Sequence, residues 1–189
     1  MLSAFLVLLA VNINAQTKWT IDKAHSKVQF IVTHLIISEV TGRFQIYDGN
    51  IETSKEDFSD AKIDFSVDVA SINTDNTQRD NHLKSDDFFN AEKFPKMVFK
   101  GKSLQKLSGN KYKLTGDLTI RDVTKTVVLD VVYNGTVKDP RGNTKAGFKV
   151  TGSLDRFDYN LKWNALIEAG GAVVGKTVNI VIDLQLAKS

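Results

Sequence analysis

The side chains most able to bind or transform a polar group are concentrated in one short segment, residues 79–89. Arg79 and His82 lie three residues apart in it, and Phe88 and Phe89 end it. A guanidinium and an imidazole at this spacing can bind an oxygen-rich group, and an imidazole can also transfer protons. The adjacent phenylalanines add an apolar surface. The residue types therefore predict either a site for an amphiphilic ligand or a catalytic site.

Two structural roles for this segment remain open. As a plug, Leu83, Phe88 and Phe89 close one end of the fold, while Arg79 forms an ion pair with a carboxylate. As a gate, the same apolar side chains cover an opening, and Arg79 and His82 contact the polar head of a ligand. The two roles are not exclusive.

The segment also predicts a short helix, because its apolar and charged residues do not alternate as those of the flanking segments do. Helical spacing places His82 and Asp86 on one face. Asn73 or Thr74 is the expected N-terminal cap, and Pro95 stops a helix that extends beyond the segment.

The three histidines, His25, His34 and His82, do not have the spacing of a metal site, so we expect no metal ligands. His25 and Ser26 are neighbours in a predicted strand, where successive side chains point to opposite faces, so they cannot form a nucleophile–base pair. We therefore expect no catalytic residues. One alternative stays open, in which His34 or His82 is the general base of an enzyme acting on a small hydrophobic substrate.

The elements that position these side chains are predominantly β-strands. Apolar and polar residues alternate with period 2, which is typical of antiparallel strands with one buried face. The clearest alternation predicts strands over residues 62–69, 112–120, 146–154 and 178–186, and less regular patterns predict strands over residues 28–33, 44–51, 97–104 and 126–133. Tight turns are predicted at Ser108-Gly109-Asn110, at Asp139-Pro140-Arg141-Gly142, and at Gly170-Gly171 with Gly175 before the last strand.

About eight strands with short connections and one helical insert predict an all-β fold, an antiparallel eight-stranded up-and-down barrel, because closure removes exposed strand edges. The interior of such a barrel is either filled by side chains or holds one small ligand. A ten-residue strand spans about 33 Å, so we expect a tube that holds much of an extended lipid tail. A tail of about forty carbons would bind with roughly 12 kcal/mol from apolar contact alone.

Composition narrows the function classes. The chain has 189 residues and no cysteine, which excludes thiol catalysis and cysteine-ligated zinc. The 25 basic and 22 acidic residues are interspersed and give a net charge of +3. The sequence has no block of basic residues, so we do not expect it to bind nucleic acid.

The first fifteen residues carry no charge and contain an apolar run too short to span a membrane, which needs about 20 residues. The small residue Ala15, with an aliphatic residue two positions before it, is typical of a signal-peptidase site. We therefore predict a signal peptide over residues 1–15, cleaved before Gln16, and one domain over residues 16–189 without a transmembrane segment in the mature chain.

A series of short motifs in a fixed order resembles the YceI-like polyisoprenoid-binding family over nearly the whole mature chain. Asn160 and Asp122 stand where that family often has Gly, and both residue types tolerate left-handed backbone, so we expect the turns to be kept. The motifs are Trp19-x-Ile21-Asp22-x-x-His25-Ser26-x-Val28-x-Phe30-x-Val32-x-His34, Gly42-x-Phe44, Gly49-x-Ile51, Asp68-x-x-Ser71-Ile72-x-Thr74, residues 79–89 followed by Phe94-Pro95, Gly116-x-Leu118-x-Ile120, Arg156-x-Asp158 and Val178-x-Ile180.

The resemblance implies a lipocalin-like barrel that is exported to the periplasm or secreted and holds a polyisoprenoid or another long-chain lipid. It implies no cofactor and no enzymatic step. We expect a monomer or homodimer, and a barrel filled by its own side chains remains the second alternative. The expected ligand-binding residues, combining the inward strand positions with the insert, are Phe30, Val32, His34, Phe44, Phe65, Val67, Arg79, His82, Phe88, Phe89, Leu118, Phe148 and Val150.

Overall fold

The computed structural model describes residues 16–166 and 172–189. The predicted signal peptide, residues 1–15, and the predicted turn glycines Gly170 and Gly171 lie outside the described residues. Gly175, the third glycine of that motif, lies inside the last strand.

The described residues form eleven strands, one α-helix and two 3-10 turns. The helix α1 spans Thr77–Lys84, and the 3-10 turns span Val69–Ser71 and Arg156–Tyr159. The strands are β1 (Thr17–Ile21), β2 (Lys27–His34), β3 (Ser38–Phe44), β4 (Tyr47–Thr53), β5 (Lys62–Asp68), β6 (Ile72–Asn73), β7 (Lys96–Ser108), β8 (Lys111–Ile120), β9 (Val123–Lys138), β10 (Thr144–Asp155) and β11 (Val174–Lys188).

The strands close into an eight-stranded antiparallel barrel, which confirms the predicted fold class. Neighbours follow the order β4, β5, β7, β8, β9, β10 and β11, and β1 pairs with both β4 and β11. β2 pairs with the first part of β11 and with β3. Thus β1 and β2 share one position in the wall, and β3 and β4 share the next.

Seven of the eight predicted strands coincide with β2, β5 and β7 to β11. The ends of β2, β5 and β8 agree to within one residue, whereas β7, β9, β10 and β11 extend two to five residues beyond at least one predicted end. The prediction of one continuous strand over residues 44–51 is wrong, because β3 ends at Phe44 and β4 begins at Tyr47. Between them, the backbone N–H of Gln45 donates to the carbonyl of Ser71 at 3.2 Å, and that of Ile46 donates to the Ser71 hydroxyl at 3.0 Å. These bonds to the first 3-10 turn replace the sheet ladder and bend the chain.

The two predicted hairpin turns that lie within the described residues are confirmed. Gly109, between β7 and β8, has φ = +56°, which glycine adopts readily. Between β9 and β10, the N–H of Gly142 donates to the carbonyl of Asp139 at 2.9 Å, as a four-residue turn requires. Asn160 has φ = +61°, so the left-handed turn expected there is kept, whereas Arg121 rather than Asp122 takes the positive φ, +55°, in the β8–β9 turn.

Helix α1 confirms the helical insert but differs from the predicted details. Asn76 caps it by accepting from the N–H of Arg79 at 2.9 Å, so the expected caps Asn73 and Thr74 are wrong. Thr74 instead donates its N–H and its hydroxyl to buried Asp80, at 2.8 and 2.6 Å. The helix ends at Lys84, and the rest of the segment, residues 85–89, is a non-helical loop.

Antiparallel order separates the connections into two ends. The open end carries the β2–β3 turn, the insert after β5, the β8–β9 turn and the segment between β10 and β11. The closed end carries the loop over residues 54–61 and the hairpin turns after β7 and β9. The insert side chains predicted to bind a ligand, Arg79, His82, Phe88 and Phe89, therefore all lie at the open end.

Aromatic side chains fill the barrel near the closed end. Phe58, from the 54–61 loop, is only 2% exposed and lies 5.0 Å from Trp19, 5.5 Å from Tyr133 and 4.9 Å from Phe148, measured between ring centroids. We call these four residues the closed-end cluster. The space that remains in the barrel lies between this cluster and the open end.

Candidate binding cavity

An apolar cavity of about 210 Å³ extends from the insert at the open end down to Ile63, Leu114 and Leu184, beside the closed-end cluster. Its wall is made by inward residues of the strands and by three residues of the insert, Leu83, Phe88 and Phe89. Gln29, Arg156 and Tyr159 are the lining residues with polar side-chain atoms. Nine expected ligand-binding residues line this cavity: Phe30, Val32, Phe44, Phe65, Val67, Phe88, Phe89, Leu118 and Val150.

A second cavity, of about 390 Å³, lies beside the first and has a mixed lining; we call it the vestibule. Its apolar floor includes Phe30, Val32 and Trp163, and its polar residues are His34, Asn76, Gln78, Arg79 and His82. The expected site residues His34, Arg79 and His82 therefore line the vestibule and not the apolar cavity. Of the described residues, none forms a cluster of three or more His, Cys, Asp or Glu side chains that could hold a metal ion.

Leu83 and Phe88 separate the two cavities, because both residues line each of them. Phe88 is only 5% exposed. The ring of His82 stands perpendicular to the rings of Phe88 and Trp163, with centroid distances of 5.0 and 5.3 Å. The helix and the loop that follows it thus place an apolar partition between an apolar chamber and a polar opening.

His82 does not share a face with Asp86 as predicted, because the helix ends two residues before Asp86. Its Nε2 instead lies 2.8 Å from a carboxylate oxygen of Asp87 in the loop. This contact fixes the imidazole at the edge of the partition, with one nitrogen committed to the neighbouring loop.

Arg79 does not form the carboxylate ion pair expected of a plug. Its Nε donates to the Thr74 hydroxyl at 2.8 Å, and its Nη2 donates to the Thr74 carbonyl at 2.7 Å. Within residues 16–166 and 172–189, Arg79 makes no salt bridge. A positive charge held by neutral partners therefore lies in the vestibule wall.

Phe148 does not line the cavity, so its expected place there is wrong. Its ring packs 5.1 Å from Tyr133 in a stacked arrangement within the closed-end cluster. The alternation along β10 correctly points Phe148 inward, but Phe58 from the 54–61 loop fills the space beside it. Val150 and Leu154, inward positions of β10 closer to the open end, line the cavity instead.

Phe30 illustrates how the local sequence shapes the cavity wall. It pairs with Gly42 on the neighbouring strand β3. A Cβ atom at position 42 would overlap the Phe30 ring, so only glycine allows the ring to lie flat against β3. Phe30 therefore covers the wall between the cavity and the vestibule, and lines both.

Arg121 anchors the partition, although sequence reasoning missed it. From the β8–β9 turn, its Nη1 donates to the carbonyls of Phe88 at 2.9 Å and Asp86 at 3.0 Å, and its Nη2 donates to the Asp86 carboxylate at 2.6 Å. The Asn90 amide, which contributes most, and the Arg121 guanidinium both hold the pKa of the Asp86 carboxyl below its usual value. The loop is thereby tied to the barrel wall.

Arg156 is a second arginine that sequence reasoning did not place in the site, although it stands in the Arg156-x-Asp158 motif. It is only 3% exposed and donates to the carbonyls of Leu161 at 2.6 Å, Trp163 at 2.7 Å and Gly175 at 2.9 Å. Burial lowers its pKa, because a charged group loses solvation there. Arg156 thus fastens the segment that carries Trp163 to the first residues of β11.

The predicted absence of a His25–Ser26 pair agrees with the side-chain contacts. His25 Nδ1 lies 3.1 Å from a carboxylate oxygen of Asp22, while the Ser26 hydroxyl accepts from the N–H of Gln185 at 3.0 Å. Both residues lie in the connection between β1 and β2, and neither lines the cavity. His34 and His82, the alternative general bases, are the histidines of the vestibule.

An apolar chamber beside a mixed opening can accommodate a molecule with an apolar tail and a polar head. The chamber removes the tail from water without requiring hydrogen bonds, and the vestibule offers donors for the head. No helix of the described residues has the length and apolar character needed to cross a membrane.

The comparisons with known proteins agree with this architecture. The family model of the YceI-like domain matches residues 19–186. A UPF0312 protein of Staphylococcus aureus is 40% identical over 174 residues, which cover 92% of this chain and 99% of that protein. The crystal structure of the Campylobacter jejuni YCEI protein superposes with a TM-score of 0.72 at 37% identity, covering 90% of this chain and 97% of that one.

A more distant structure shares the fold alone. A polyisoprenoid binding domain from Saccharophagus degradans, implicated in plant cell wall breakdown, has a TM-score of 0.68 at 15% identity and covers 90% of this chain and 98% of that one. The match of the family model over most of the chain, with the identity to the Staphylococcus and Campylobacter proteins, establishes the family. This chain belongs to the YceI-like family.

Proposed function

We propose that this protein binds a long-chain isoprenoid or a similar amphiphilic lipid and carries or sequesters it without transforming it. The observation that supports this proposal most strongly is the apolar cavity next to the vestibule, which shares lining side chains such as Leu83 and Phe88 with it. In this arrangement the tail lies in the cavity and the head lies near Arg79 and His82. The polyisoprenoid-binding domain of Saccharophagus degradans, which shares the fold, also supports a lipid of this class.

The volume of the cavity limits how the tail is held. The closed-end cluster closes the far end of the barrel, so the space for a tail extends from that cluster to the open end. In this arrangement the cavity of about 210 Å³ holds the end of the tail. The remainder extends through the vestibule, or displaces Leu83 and the two phenylalanines of the insert.

Lipid content after gentle purification tests the proposal. Native mass spectrometry of the wild-type protein should show a bound lipid that organic extraction releases. Phe65→Asp, which puts a charge in the cavity wall, and Leu118→Trp, which fills the cavity with neutral bulk, should both remove it. The matched control is Leu107→Asp, because Leu107 is exposed near the closed end.

Two results would contradict the proposal. One is an unchanged lipid load in both cavity variants. The other is a wild-type protein that neither carries a lipid nor takes up added geranylgeraniol. Circular dichroism of each variant shows whether the barrel is intact, and Leu118→Trp provides the test if Phe65→Asp does not fold.

We also propose that the protein acts outside the cytoplasm, in the periplasm or as a secreted protein. The uncharged apolar run before Ala15 supports this proposal. The intact mass of the protein isolated from the periplasmic extract or the culture supernatant should correspond to a chain that begins at Gln16. A chain that retains residues 1–15 and remains with the cells' cytosol would contradict it.

A further inference from the structure

Four large aliphatic side chains at the open end are exposed to solvent. In the β2–β3 turn, Leu35, Ile36 and Ile37 are 36%, 62% and 87% exposed. Leu166, in the segment between β10 and β11, is 77% exposed. We call these four residues the apolar rim.

The apolar rim adjoins the vestibule through backbone contacts. The N–H of Leu35 donates to the carbonyl of Val173 at 2.9 Å, and Val173 lines the vestibule. Leu166 forms an isolated antiparallel bridge with Ala172, the residue before Val173. The two exposed segments are therefore neighbours, and they lie beside the opening through which a ligand would pass.

The conformation of the turn is unfavourable for the residues that occupy it. Leu35 and Ile36 have φ values of +52° and +68°. Positive φ is rare for residues other than glycine, and a β-branched residue such as isoleucine is an outlier there. Asn or Gly would relieve the strain and would also be better solvated. Aliphatic residues that are both strained and exposed indicate a role that the isolated fold does not explain.

We propose that the apolar rim docks on the surface of a lipid bilayer, with the Leu35, Ile36 and Ile37 side chains inserted among the lipids. The turn carries no charge, so its insertion buries none. A protein partner bound to the apolar rim would block the vestibule. A bilayer in the same place would face the vestibule and would itself contain the lipid ligand. Arg79, which is bound by neutral partners, places a positive charge in the vestibule for acidic lipid head groups.

This inference rests on the proposed function in one respect: docking would serve the transfer of a lipid between the bilayer and the cavity. Docking itself does not require a bound ligand. Binding to vesicles and lipid load are separate measurements, so either proposal can fail while the other stands.

Flotation with vesicles of phosphatidylethanolamine and phosphatidylglycerol tests the docking. The wild-type protein should float with the vesicles. The double variant Ile36→Asn/Ile37→Ser should bind them at least about tenfold more weakly, because each buried aliphatic side chain contributes about that factor to a partition constant. Leu107→Ser and Val137→Ser remove exposed aliphatic side chains near the closed end and should float as the wild type does.

Thermal unfolding separates docking from a structural role of the turn. Because Asn tolerates positive φ, Ile36→Asn should keep or raise the melting temperature while it weakens vesicle binding. A fall in both would assign the turn to folding and overturn the proposal. Equal flotation of the wild type and the double variant, or no flotation of the wild type, would also overturn it. So would a double variant that loses only self-association in sedimentation velocity, because the rim would then contact a second copy.

Discussion

The two halves of the barrel use the same strands and the same alternation, but they differ in what occupies the interior. Near the closed end, Phe58 enters from a loop and packs against Trp19, Tyr133 and Phe148. Near the open end, the insert contributes Leu83, Phe88 and Phe89, and a cavity remains below them. The comparison shows that the connections, more than the strands, determine which half is filled.

The side chains that hold the two closing segments also differ. The closed-end loop is held by buried contacts and by the hydroxyl of Tyr112, which donates to the carbonyl of Asp57 at 2.8 Å. The insert loop is held at its outer side by Arg121, whose acidic partner Asp86 is largely exposed to solvent. Exposed ion pairs contribute little to stability. The open end is therefore the half in which the closing segment can move at lower cost.

The largest expected effect is a loss of stability on mutation of the closed-end cluster. Phe58→Ala should lower the free energy of unfolding by about 3–5 kcal/mol, because it opens a void in a packed aromatic cluster. Phe89→Ala should cost less, since its ring already borders the cavity. Urea denaturation of both variants measures the difference, and equal losses would mean that the two halves are packed alike.

An intermediate effect is expected on the rate of ligand release when the contacts of Arg121 at the open end are removed. Arg121→Gln removes the exposed ion pair with Asp86, which contributes little, and the part-buried hydrogen bond to the Phe88 carbonyl, which is worth about 1.5 kcal/mol. Release of a bound fluorescent fatty acid, followed by stopped flow, should accelerate roughly tenfold or more, while the equilibrium affinity changes less. The control is Arg141→Gln, an exposed arginine of the β9–β10 turn at the closed end. An unchanged release rate would show that Arg121 does not hold the partition.

The smallest expected effect concerns pH and the closed end. Hydrogen bonds from Lys145, first, and then His25 lower the pKa of Asp22 well below its usual value. Because the folded-state pKa is the lower one, the stabilisation is complete well above an unfolded-state pKa of about 3.9 and is lost as the pH falls through and below it. Asp22→Asn should therefore reduce the urea midpoint at pH 7 and have less effect at pH 3. An equal reduction at both pH values would contradict the linkage.

The barrel could be predicted from the sequence because strand alternation is a local pattern. Each inward residue of β5, β8, β10 and β11 is fixed by its neighbours two positions away. Alternation does not reveal what lies across the interior. Phe65 and Phe148 have the same pattern, but only Phe65 lines the cavity, since Phe58 arrives beside Phe148 from a distant loop.

The candidate site was predictable in its apolar part and less so in its polar part. Residues 79–89 stood out because they interrupt the alternation. Arg121 carried no comparable signal, because its partner Asp86 lies 35 residues away and both occur in ordinary charged surroundings. The bend at Gln45 depends in the same way on a remote residue, Ser71.

The bend between β3 and β4 has a consequence for how a bulky molecule could reach the interior. Above it, β3 pairs with β2 on one side, while on its other side only Arg43 and Phe44 pair with a strand of the described part of the chain, β6. The insert thus occupies a place along the flank where a further strand would otherwise lie. Its displacement would uncover a lateral slit, through which a branched chain can slide sideways instead of being threaded lengthwise.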